Sequence, residues 1–139
     1  CREYEKRLSR FCQLQVTELE PVSLPQNPSE KEIAAALEKE GAELLKRAKG
    51  FCIAMCIEGK QLDSPGLAKK LEQAAQGGDS GAVTFLIGSS YGLSDAVKQR
   101  ANLRLSMSAM TFPHQLARVM LLEQIYRSYQ ILSGTKYHK

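Results

Sequence analysis

Residues 51–57, Phe-Cys-Ile-Ala-Met-Cys-Ile, constrain the fold more than any other stretch because they contain no charged or strongly polar side chain. A strand with one wet face alternates apolar and polar positions. A strand-length run without alternation belongs in a sheet covered on both faces, the environment of parallel strands. Residues 82–87 repeat the signature, and Leu103, Leu105 and Met107 alternate as a third core-type strand. Residues 13–22 place Leu14, Val16 and Leu19 on one side and read as a half-buried strand.

Helical patterns separate these runs. Residues 1–11 continue a helix decorated by Arg2, Lys6, Arg7 and Arg10. Prolines 21, 25 and 28 then mark a loop. Ser29 with Glu32 forms a capping box before a stripe of Ile33, Leu37, Leu44, Leu45 and Ala48, with Gly50 as its stop. Residues 58–60 read as a turn. Ser64-Pro65 opens a helix carrying Leu67, Leu71 and Ala75 that Gly77-Gly78 ends, and Ser94 caps a short helix reaching Arg100. Strands alternating with helices predict an α/β domain with a mainly parallel sheet and helices on both faces, one domain over residues 1–139.

The last helix differs from the others. Thr111 is placed to cap it and Pro113 falls in its first turn. Leu116, Val119, Met120, Leu122, Ile125, Tyr129 and Leu132 recur at helical spacing, while Leu121, Tyr126 and Ile131 spread apolar surface onto the other faces. A helix apolar most of the way round is buried on more than one side. It is either an ordinary core helix or one shared with a partner subunit.

Composition bounds the class. An apolar share of 43% with 24% charged residues is that of a soluble globular domain, and no apolar run approaches the length of a membrane span. Four cysteines without a secretory context point to the reducing cytoplasm. The net charge of +4 is unevenly placed: residues 98–139 hold seven Lys or Arg against one acid, Glu123. That half suits a polyanion, although a solvated surface has the same look.

Ligands of open parallel sheets sit beyond the carboxyl ends of the strands. These ends are residues 55–57, 87–88 and 107–110. Gly88, lacking a side chain, either lets a ligand approach its backbone or simply makes a turn. Neither a dinucleotide fingerprint nor a triphosphate loop is present. Cys52 and Cys56 share a strand face roughly 13 Å apart, too far for one zinc ion, so no metal site is expected. No Ser-His-Asp pattern rises above background. Glu123 has Arg127 one helical turn on, an orientation that favours an ion pair. The tail beyond Gly134 carries Lys136, Tyr137, His138 and Lys139, able respectively to meet phosphate, stack on a base, titrate near neutrality and meet phosphate.

The run TFPHQLARVMLLEQIYRSYQILSGTKYHK resembles the C-terminal signature of the small SPOUT-class methyltransferases of the ribosomal RNA large subunit methyltransferase H family. The likeness extends upstream through FLIGSSYGLS and IAMCIEGK to EYEKRL. It implies a trefoil-knotted SPOUT domain that uses S-adenosyl-L-methionine to methylate N3 of a pseudouridine in large-subunit (23S) rRNA. It also implies action as a homodimer on the assembled ribosome, with one subunit holding cofactor and the other completing the substrate contacts. The family opens with a hydrophobic strand and a glycine turn ahead of EYEKRL, whereas this chain begins inside that helix at Cys1, so the opening strand is expected to be missing.

Carried over position by position, the cofactor contacts implied are Met55, Gly88, Met107, Ser108, Ala109, Met110, Thr111 and Phe112. The resemblance assigns the tail, residues 136–139, to substrate, together with His114 and Arg118. The imide proton at N3 must leave, so Glu123, Tyr137 and His138 are the candidates for a catalytic part. The rival expectation is a non-catalytic RNA-binding or ribosome-associated protein of the same fold.

Overall fold

A computed structural model describes residues 2–76, 81–89 and 91–134. The apolar run forms the central strand β1 (Phe51–Gln61), flanked by β2 (Val83–Leu86) and β3 (Leu103–Ser106) in a wholly parallel sheet of order β2-β1-β3. Five helices accompany it: α1 (Arg2–Leu8), α2 (Glu30–Arg47), α3 (Ser64–Gln76), α4 (Asp95–Arg100) and α5 (His114–Leu132).

Alternate side chains of β1 enter opposite layers. Cys52 and Ala54 pack with Leu86, Leu93 and Val97, and Leu44, Leu45 and Ala48 of the α2 end cover them. Ile53 packs with Leu67 and Leu71 of α3 and with Leu105. Met55 packs with Phe85, Ile87 and Met107 onto Leu8 of α1 and Leu121, Leu122 and Ile125 of α5. Helices α2 and α4 thus cover one face, and α1, α3 and α5 the other. The crossover from β1 to β2 runs one way along the sheet and that from β2 to β3 runs back, so right-handed crossovers put α3 and α4 on opposite faces.

Several local expectations hold. Ser29 accepts the Glu32 amide while Glu32 accepts the Ser29 amide, completing the capping box of α2. Ser94 caps α4 by accepting from the Val97 amide. Gly134 adopts positive φ, 81°, just after α5, whereas α2 is stopped by an extended Ala48 and Gly50, at φ 63°, instead leads into β1. Gly77 and Gly78 lie outside the described residues.

Other expectations are corrected. Residues 13–25 contain no strand: no neighbouring strand pairs with them, and the Val22 amide donates instead to a carboxylate of α2. Alternation reports which side of a segment is apolar, but a ladder also needs a partner edge. Residues 58–60 do not end β1. It continues to Gln61 with a large irregularity, in which Leu105 of β3 pairs first with Met55 and then with Lys60. Gly59 makes this possible, since a Cβ there would stand 2.7 Å from the Arg104 carbonyl carbon. At α5, Pro113 is the N-cap, with ψ 143° and no side-chain cap. Proline disfavours helical geometry in the residue before it, so the helix cannot begin earlier and Thr111 is left outside it.

Candidate functional site

The ends of the regularly paired stretches converge as the parallel topology requires, Met55 being the last residue of β1 before its irregularity. Met55 of β1, Ile87 beyond β2 and Met107 beyond β3 meet on the α5 layer around Leu121, Leu122 and Ile125. The chain leaves β1 for α3 and β2 for α4, on opposite faces, which is the arrangement that opens a crevice at strand ends.

Gly88 begins a tight turn in which the Gly92 amide donates to the Ser89 carbonyl at 2.9 Å. A Cβ on Gly88 would lie 2.2 Å from the Gly92 carbonyl oxygen. The turn itself therefore demands glycine, whatever ligand it holds. The Ser89 hydroxyl donates to Glu40 Oε1 at 2.9 Å, fastening the turn to α2. The second loop is also compact: the Ser106 hydroxyl donates to the Ser108 carbonyl at 3.0 Å, and the Met110 amide to the Ser108 hydroxyl at 3.0 Å. Ala109 and Thr111 are exposed, Phe112 is half-buried, and Met110 is 71% exposed, an apolar thioether presented to whatever approaches.

A groove of about 1620 Å³ runs from the Gly88 turn to the first turn of α5. Gly88, Ser89, His114 and Arg118 line it; Met55 and residues 107–112 do not. The structure thus joins Gly88 to His114 and Arg118 along one groove, and joins Met55 to Met107 in the adjoining apolar layer. Arg118 pairs through Nη1 with Glu18, while its Nε is buried with no partner. His114 is exposed at the start of α5.

Glu123 and Arg127 form the expected pair in bidentate geometry, Nε to Oε1 at 3.1 Å and Nη2 to Oε2 at 2.8 Å. Gln124 Nε2 also donates to Glu123 Oε1 at 3.0 Å, and the Ser64 hydroxyl of α3 donates to Gln124 Oε1 at 2.6 Å. A carboxylate held by a guanidinium and an amide is fixed in place and well supplied with donors. Near the irregular end of β1, the Lys98 ammonium holds the Glu58 carboxyl below its ordinary range, and Glu58 in turn raises Lys98. Burial raises the Cys56 thiol, which keeps it protonated and poorly nucleophilic. Lys136, Tyr137, His138 and Lys139 lie outside the described residues. Among the described residues, no three His, Cys, Asp or Glu side chains form a metal-sized group, and no helix is long and apolar enough to cross a membrane.

Sequence reasoning missed Glu18, Glu40 and Ser89. Glu18 and Arg118 are 100 residues apart, Glu40 and Ser89 are 49 apart, and neither spacing nor periodicity signals a contact of that range.

Comparison with known proteins accords with this architecture. The family described as "Predicted SPOUT methyltransferase" matches residues 1–138. A ribosomal RNA large subunit methyltransferase H of Clostridioides difficile (strain 630) is 48% identical over 99% of this chain and 87% of its own length. Proteins of the same name from Streptococcus thermophilus (strain LMD-9) and Leuconostoc mesenteroides are 49% and 47% identical over the same shares. With a parallel α/β sheet, convergent strand ends and a match along the whole chain, the protein belongs to the SPOUT methyltransferase family.

Proposed function

We propose that this protein transfers a methyl group from S-adenosylmethionine to N3 of a pseudouridine in 23S rRNA, acting as a homodimer on the assembled ribosome in the cytoplasm. The observation that carries the reading is the near-complete match to relatives named as large-subunit rRNA methyltransferases. The knotted C-terminal threading typical of SPOUT domains is part of the same reading.

The residues present suit the cofactor. Glycine at 88 lets the turn close tightly against Gly92, and Met55, Met107 and Met110 offer soft apolar surfaces for a purine ring. With Ser108, Ala109, Thr111 and Phe112 they would hold the cofactor, whose sulfonium supplies an already activated methyl group. The protein's share is then orientation: placing N3 in line with that methyl and letting the imide proton depart as the N–C bond forms and the S–C bond breaks. In this reading Glu123, locked to Arg127, shapes the wall of the site. Tyr137 stacks on the base, and His138 is the group that accepts the proton. Arg118, His114, Lys136 and Lys139 meet phosphates. Glu18 occupies Arg118 until a phosphate replaces it.

Calorimetry and product analysis test the reading together. The protein should bind S-adenosylmethionine, and with unmodified ribosomes should yield N3-methylpseudouridine by mass spectrometry of the rRNA nucleosides. Failure to bind the cofactor would leave a non-catalytic RNA-binding protein; methyl on another nucleoside would overturn the substrate.

The dimer interface in this reading is the outer side of α5. Leu122 and Ile125, the obvious residues from spacing, are spent inside the chain's own core at 6% and 8% exposure. At about 100° per residue, Leu116, Met120 and Ile131 fall on the opposite side, with Val119 at its margin. Met120→Asp should therefore give a folded monomer by light scattering, because the charge is tolerable in water and costly in an interface. A soluble dimer in that variant would move the interface elsewhere.

A further inference from the structure

Glu40 of α2 is half-buried and both its carboxylate oxygens are used. Oε1 accepts the hydroxyl of Ser89, next to Gly88, at 2.9 Å. Oε2 accepts the amide of Val22 at 3.0 Å, in the irregular strap that continues back to Glu18 and its partner Arg118. The next residue fixes the helix beneath them. Gly41 is buried, and a Cβ there would lie 2.4 Å from the Ser94 hydroxyl and 3.2 Å from Val97 Cγ2. Helix α2 thus grips the segment from Ser89 to Ser94 at both ends, by a carboxylate at one and by close backbone approach at the other. A carboxylate accepting two protein donors is a strong, directional anchor, worth more than a neutral pair.

Resting on the proposed function, we infer that Glu40 is a positioning residue for the cofactor turn, holding residues 88–92 in the conformation that receives S-adenosylmethionine and tying that turn to the strap that contacts Arg118. It acts through Ser89 and Val22 and does not itself touch the cofactor. Because it sets ground-state binding, its loss raises KM for the cofactor more than it lowers kcat.

The test uses the full chain and three variants. Glu40→Ala removes both acceptors and should raise KM and Kd for S-adenosylmethionine about tenfold or more, with kcat within about threefold of wild type. Glu40→Gln keeps a carbonyl for the Val22 amide and an amide that can donate to Ser89, and should restore most of the loss. Ser89→Ala should weaken the cofactor in the same sense, and the two changes together should cost less than their sum. Amide hydrogen exchange without cofactor supplies the independent readout: residues 87–93 should exchange faster in Glu40→Ala and in Ser89→Ala. An unchanged KM, a loss confined to kcat, additive effects or unaltered exchange would each overturn the inference. If wild type binds no S-adenosylmethionine, the proposed function fails instead. Faster exchange in the turn would then still support the anchoring role. Should Glu40→Ala not fold, Ser89→Ala decides alone.

Discussion

Gly88→Ala should lower S-adenosylmethionine affinity at least tenfold, even though it adds a single methyl group. The atom it adds would meet the Gly92 carbonyl oxygen at 2.2 Å and its carbon at 2.5 Å, inside any tolerated contact. Both belong to backbone, so the turn itself must open. Overpacking of this kind costs about 1–3 kcal/mol, and the distortion falls where the cofactor is proposed to bind. The variant should keep a cooperative urea transition with only a lowered midpoint. Gly92→Ala is the informative companion. Gly92 has φ 91°, and a Cβ there would meet nothing within 4 Å, so the change strains the backbone without collision. If both variants bind equally weakly, backbone conformation governs the site; if only Gly88→Ala does, close approach governs it. Wild-type affinity in folded Gly88→Ala would leave Gly88 as a turn residue and nothing more.

The parts legible in the sequence are those that local physics determines. Residues 51–57 announce a doubly covered strand because burial on both faces removes every polar position, and Ser29 with Glu32 announces a helix start because the orphan amides there need acceptors within reach. The strap of residues 13–25 misleads because its alternation is real while its ladder partner is a property of the rest of the chain. The start of α5 misleads because Thr111 is a good cap in isolation, yet Pro113 controls the geometry of Phe112. At the site, Gly88 and the Glu123–Arg127 pair are visible from residue type and spacing. Glu40 is not: it sits in a lysine- and glutamate-rich stretch of α2 where nothing distinguishes it from its solvated neighbours until Ser89 and Val22 are seen against it.

Deleting Tyr137, His138 and Lys139 should leave dimerisation and cofactor affinity near wild type while methyl transfer to ribosomes falls about tenfold to hundredfold, the loss expected from one stacked base. These residues follow the end of α5, where the Gly134 amide donates to the Ile131 carbonyl at 3.0 Å and Gly134 turns the chain out of the helix. In the proposed homodimer, an antiparallel pairing of two α5 helices would bring the tail of one chain to the groove of the other. If that is the arrangement, a mixed dimer of one tail-deleted chain and one Gly88→Ala chain should regain a single working site, and its rate should approach half that of wild type. Salt separates the contributions within the tail. If Tyr137 stacking dominates, Tyr137→Ala alone should reproduce most of the defect, and raising the salt should hardly alter it. If Lys139 dominates, the defect should shrink as salt rises, because wild type then loses the same phosphate contact to screening. Single-turnover transfer at two salt concentrations reads both cases, and wild-type rates in the deletion variant would remove the tail from the mechanism.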